Sequence, residues 1–105
     1  MVGAVSTTAR LGDRLHLGYR NAACEVDTVV GPAGTTFRGH EFHYSTCDPG
    51  GGALTLRSRF GDRSDGFASP TLLATYLHHH AGGDPSVVEA FVRTCVSARH
   101  TTLAR

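Results

Sequence analysis

Apolar and polar residues alternate along much of this chain, and the alternation stops at breaks rich in glycine and proline. In the run from Arg14 to Cys24, Leu15, Leu17 and Tyr19 fall on one side and His16, Gly18 and Arg20 on the other. That period of two predicts a half-buried strand. Glu25 to Val30 reads as extended, and Gly31-Pro32-Ala33-Gly34 as a turn. Thr35 to Thr46, rich in Thr, Phe and Tyr, is a second strand, ended by Asp48-Pro49-Gly50-Gly51-Gly52. Ala53 to Phe60 alternates again, with Leu54 and Leu56 on one face, and Gly61 to Gly66 reads as a polar turn. Thr71 to His80 is expected to be one long extended run, its adjacent Leu72 and Leu73 covering both faces as in an inner strand. The residues through Gly12 show no clear period and are expected to be loop.

The period changes once, near the end. Asp84 suits a helix N-cap and Pro85 the first helical position. Val87, Val88, Phe91, Val92, Cys95 and Val96 follow as one stripe at helical spacing, with Cys95 expected in the core. Strands first and a single helix last would, from pattern alone, suggest an α+β fragment.

Composition narrows the function classes. A chain of 105 residues suits one domain, and 40% hydrophobic residues are too many for a disordered segment. The formal net charge is +1 and the ten arginines are scattered, so no nucleic-acid footprint is present. No apolar stretch is long enough to span a bilayer, and Met1-Val2-Gly3-Ala4-Val5 lacks the basic start of a signal peptide. Cys24, Cys47 and Cys95 are odd in number and form no CxxC pair. They argue against a disulfide scaffold and fit a cytoplasmic location.

Candidate chemistry gathers in two histidine-rich blocks, His40-Glu41-Phe42-His43 and His78-His79-His80. On strands, Glu41 and His43 would share one face, as would His78 and His80, and a single sheet could bring all four together. As ligands they would suit a metal ion. Alternatively one histidine would serve as the acid–base partner of a cysteine. Structural hydrogen bonding is the third reading, and for any single histidine the default.

A longer string favours the acid–base reading, with a small metal-binding protein or metalloenzyme using Glu41, His43, His78 and His80 kept as the alternative. Arg38-Gly39-His40-Glu41-Phe42-His43-Tyr44-Ser45 is preceded by Leu15-His16-Leu17-Gly18-Tyr19-Arg20. It is followed by Asp65-Gly66-Phe67 and Ala74-Thr75-Tyr76-Leu77-His78-His79-His80. Together these motifs resemble cobyrinate a,c-diamide synthases, over the C-terminal part of their class I glutamine amidotransferase domain. The likeness runs from about Gly3 to the final helix. It implies an α/β fold: residues 1–105 as the C-terminal portion of a flavodoxin-like amidotransferase domain, mostly strands with a closing C-terminal helix.

The resemblance also implies chemistry. Such enzymes release ammonia from glutamine through a cysteine thioester. A synthetase domain then uses ATP and Mg2+ to amidate the a and c carboxylates of a corrin-ring diacid, cobyrinate or hydrogenobyrinate, in cobalamin biosynthesis. His78 stands where the catalytic histidine is expected, keeping the cysteine ionised and protonating the departing ammonia. His80 stands where many class I amidotransferases carry a glutamate, so a cysteine–histidine dyad is expected, with His80 accessory. Glu41, His43 and Tyr44 would line the glutamine pocket.

Two departures follow. The sequence holds no glycine-flanked nucleophilic cysteine, no GxxxxGK[ST] phosphate loop and no lysine to complete one. No cofactor is therefore expected on this chain. It would need an upstream synthetase and a cysteine-bearing half, as a truncated reading frame or a split subunit, and would be inactive alone. Faces buried in the parent enzyme would then be exposed and would favour self-association.

Overall fold

The longest alternating run becomes the longest strand. In a computed structural model, which describes residues 4–80, 82 and 84–103 (the last four through their backbone alone), β1 spans Thr8–Cys24. It is followed by β2 (Thr36–Asp48), β3 (Leu54–Ser58), β4 (Gly61–Asp65), β5 (Phe67–Ser69), β6 (Leu72–Ala74) and α1 (Pro85–Leu103). The first four form an antiparallel sheet in the order β2-β1-β3-β4, and β5 and β6 form a small hairpin of their own. This is the α/β arrangement expected from the sequence, strands first and one helix closing the chain.

Several boundaries differ from the pattern. β1 begins at Thr8 rather than after Gly12, because Thr8 to Leu11 pair with Asp48 back to Ser45. The segment from Gly61 to Asp65 is a strand, not a turn: Ser58 pairs with Gly61, leaving Arg59-Phe60 as a two-residue hairpin tip. Polar composition concealed it, since β4 is exposed except at Asp65. The run from Thr71 to His80 breaks up, with three residues in β6 and a bridge farther on between His78 and His40. There Asp65 intervenes: its carboxylate takes the Thr75 hydroxyl and, at 3.3 Å, the Tyr76 amide, bending the chain out of the extended state.

The registers put Ala22, Cys24, Phe37, Leu54 and Leu56 on one face of the sheet, and all are buried. Leu77 and Val87 close this core from above, Val87 as the one described residue of the helical stripe below 10% exposure. Val88, Phe91, Val92 and Val96 stay 40–52% exposed, and Cys95 is exposed, not in the core. The Asp84 cap forms as expected: its Oδ1 accepts from the Ser86 amide at 3.1 Å and the Ser86 hydroxyl at 2.6 Å. Those bonds hold the Asp84 carboxyl below its ordinary range. A bond from the Thr94 hydroxyl to the Val29 carbonyl, 3.1 Å, ties the helix to the loop after β1.

Candidate functional site

The first histidine block divides between the two faces of β2. Glu41 and His43 point inward with Gly18 and His16, their partners on β1; His40 and Phe42 point outward with Tyr19 and Leu17. The expected grouping of Glu41, His43, His78 and His80 does not form. His78 bridges His40, with amide-to-carbonyl bonds of 2.9 and 2.8 Å in both directions, and its exposed ring lies beside that of His40, centroids 6.5 Å apart. Among the described residues no group of three His, Cys, Asp or Glu side chains could hold a metal ion. The metal reading therefore has no support.

Inward, Glu41 is completely buried. Burying a lone carboxylate is costly, and here two guanidinium groups offset the cost. Arg63 donates Nη2 to Oε1, and Arg20 lies with Nε 3.4 Å from Oε2. The His43 ring stacks between Tyr76, centroids 3.8 Å apart, and His16, 4.9 Å away. Its Nδ1 meets the Ser45 carbonyl at 2.7 Å, and its buried Nε2 has no hydrogen-bond partner among the described residues, 3.8 Å from Glu41 Oε1. The Tyr76 hydroxyl bonds Ser45 Oγ at 2.8 Å and Cys47 Sγ at 3.4 Å. Burial, with the Cys47 contact behind it, pushes that phenol above its usual range. At the outer end of the stack, burial and then the His43 charge hold His16 below the ordinary 6.5.

Outward, the sequence holds His78 in place through its neighbours. Leu77 is buried in the core, and its amide donates to Thr75 Oγ1 at 3.1 Å. His79 sets its ring edge-on to Phe37 and meets two carbonyls, Arg38 O at 3.2 Å and Asp84 O at 3.0 Å. Gly39 allows the close approach, because a Cβ there would stand 2.5 Å from Leu77 Cγ and 2.7 Å from the His78 carbonyl. His78 is thus an exposed imidazole on a segment anchored at both neighbours. Tyr44 shares the outer face and is 45% exposed, while His80 is exposed two residues beyond the bridge. Sequence reasoning missed Arg20, Arg63 and Tyr76. Tyr76 stands next to the second block, a signal that could have found it, whereas Arg20 and Arg63 reach Glu41 only through long-range pairing.

Residues 1–86 match the family described as CobB/CobQ-like glutamine amidotransferase domain. A hydrogenobyrinate a,c-diamide synthase of Streptomyces coelicolor is 39% identical over 90% of this chain and 20% of its own length. A cobyrinate a,c-diamide synthase of Synechococcus is 38% identical over all of this chain and 24% of its own. One from Thermoplasma acidophilum is 37% identical over 84% of this chain and 20% of its own. The chain thus spans between a fifth and a quarter of the length of these relatives. No solved structure matches it.

Proposed function

The chain belongs to the CobB/CobQ-like glutamine amidotransferase family, and from that premise we propose that it supplies the histidine half of a glutaminase site. The reaction served is ATP-driven amidation of the a and c carboxylates of cobyrinate or hydrogenobyrinate, the two ring acids in the relatives' names. The observation that carries this reading is the exposed, doubly anchored His78 within the part of the chain that matches the family.

The chemistry asks little of this chain beyond that imidazole. A cysteine thiolate attacks the side-chain amide of glutamine, His78 gives a proton to the departing ammonia, and water then releases glutamate from the thioester. His78 faces the reaction with Tyr44 and Phe42 on the same face of β2. Glu41, buried, and His43, half-buried, act on the other face as supports that fix the strand. His80 is an accessory neighbour. ATP and Mg2+ do not fit the residues present, since the sequence has neither a GxxxxGK[ST] loop nor any lysine. In this reading they act on the synthetase portion, in the cytoplasm. No described helix is long and apolar enough to cross a membrane.

The test is a chimera in which this chain replaces the matching region of the Streptomyces coelicolor relative. Glutamine hydrolysis and glutamine-dependent amide formation are expected in the chimera and none in the chain alone. His78→Ala should abolish both, about 10²–10⁴-fold as for loss of a general acid–base group, and His80→Ala should keep most of the activity. Full activity in the His78→Ala chimera would refute the assignment.

A further inference from the structure

The middle one of three consecutive histidines, His79, has its ring engaged on both edges. Its Nδ1 lies 3.2 Å from the Arg38 carbonyl on β2, and its Nε2 lies 3.0 Å from the carbonyl of Asp84, the residue that caps α1. A carbonyl oxygen only accepts, so each contact is made by the N–H of that nitrogen, and a neutral ring with one N–H serves one of them at a time. Neither nitrogen is free to exchange a proton with a thiol. The ring also stands edge-on to Phe37, centroids 5.8 Å apart, and Phe37 packs with Leu77 and Val87 in the core. His79 thus spans two elements: β2, which bridges His78, and the first turn of α1, which Val87 seats in the same core. The ring of His78, by contrast, is exposed beside that of His40, and no side-chain hydrogen bond among the described residues holds it.

We propose that His79 is a positioning residue for His78, setting the direction of that imidazole by holding the chain immediately after it between β2 and the start of α1. The inference rests on the reading of His78 as the catalytic histidine. Where no hydrogen bond grips a ring, its direction follows from the backbone on either side of its Cα. Before His78 the buried Leu77 fixes the chain, and at His78 the paired backbone bonds with His40 do so. After it, the work falls to the His79 ring. The family match ends at residue 86, two residues into α1, so nearly all of the helix lies beyond it. Through the Asp84 carbonyl that helix nonetheless bears on His78. Its first turn is held by the Asp84 cap on Ser86, at 3.1 and 2.6 Å; when that turn frays, the carbonyl moves and the His79 ring moves with it.

Steady-state glutamine hydrolysis by the Streptomyces coelicolor chimera tests the proposal. His79→Leu, which has no donor, should lower kcat about 10–100-fold, the cost of a misplaced reacting group, with KM for glutamine nearly unchanged. His79→Gln keeps an N–H for the carbonyls and should recover most of kcat. Asp84→Ala should lower kcat about threefold or more when His79 is present and leave it unchanged in the His79→Leu background, because the helix acts through that ring. An unchanged kcat in His79→Leu, a loss confined to KM, or the same Asp84→Ala effect in both backgrounds overturns the proposal. Hydrogen exchange on the free chain separates positioning from folding: in His79→Leu the His78 amide should lose protection while the β3 amides keep theirs. Protection lost across β3 as well makes His79 a residue of the general fold and sinks its assignment. His78→Ala divides this inference from the reading beneath it. An inactive His78→Ala chimera beside a fully active His79→Leu one removes the positioning role and leaves His78 standing; full activity in both removes both.

Discussion

The two faces of the β1–β2 pair share one backbone and one hydrogen-bond ladder, and they are buried in opposite ways. Inward, Glu41 is wholly buried against Arg20 and Arg63, and His43 is stacked between two rings. Outward, the neighbouring Phe42 is 57% exposed and meets Leu17 across the ladder, itself 51% exposed. Charge lies inside and aromatic surface outside, the reverse of the usual preference. The difference teaches that the buried carboxylate finds its counterions within this chain, whereas the outer apolar patch is left uncovered by the described residues.

The sharpest way to break that contrast is at adjacent residues. Glu41→Ala would leave Arg20, only 13% exposed, without its carboxylate. A loss of about 3–5 kcal/mol is expected, as for breaking a buried ion pair. Phe42→Ala, one residue on, should change stability by only about 0.5 kcal/mol. Denaturant midpoints at constant slope would show this, and similar losses at both sites would remove the distinction between the faces.

A smaller effect is expected where the two faces are locked together. Gly39→Ala drives a Cβ against Leu77 and the His78 carbonyl. The loss should be about 1–3 kcal/mol, the usual result of overpacking. Hydrogen exchange should localise it, with the His40 and His78 amides losing protection before those of β3. Unchanged protection at His78 would mean that the bridge does not depend on this close approach.

The smallest effect is on pH. His16 is held below 6.5 in the folded chain, first by burial and next by the His43 charge. The folded state therefore takes up fewer protons at this site than the unfolded chain. Stability contributed there is present above pH 6.5 and declines as the pH falls below it. His16→Gln should flatten that decline in an acid titration of stability. A Tyr19 variant on the outer face should leave it unchanged.

Much of the fold was legible because alternation survives in β1, β2 and β3, and because Asp84-Pro85 punctuates the start of α1. Alternation shows that two faces differ but not which one is covered. Leu15, Leu17 and Tyr19 share a side in the sequence, yet the packed side carries Gly18, Arg20 and Ala22. What reverses the expectation is long-range pairing, Arg20 and Arg63 converging on Glu41, which no local window contains. β4 was hidden for the complementary reason: Gly-Asp-Arg-Ser-Asp reads as a turn, and only a two-residue hairpin with β3 makes it a strand. Within the candidate site, both histidine blocks were visible. What was not visible is the bend at Tyr76, held by the Asp65 carboxylate, after which His78 shares the face of His40 and not that of Glu41 and His43.

The bridge between His40 and His78 bears on a different problem, the two open margins of the sheet. β4 forms one margin and carries Asp62, Arg63 and Asp65 on a strand of five residues, short and charged enough to discourage a further strand. β2 forms the other, with thirteen residues, and among the described residues its unpaired side is clasped by backbone bonds at His40 alone. From Phe42 to Asp48 that margin makes no further backbone bond among the described residues, and the Ser45 carbonyl there takes the His43 ring instead. A concentrated solution of the chain would therefore stick along β2 rather than β4, and the His78 clasp sets where such growth must begin.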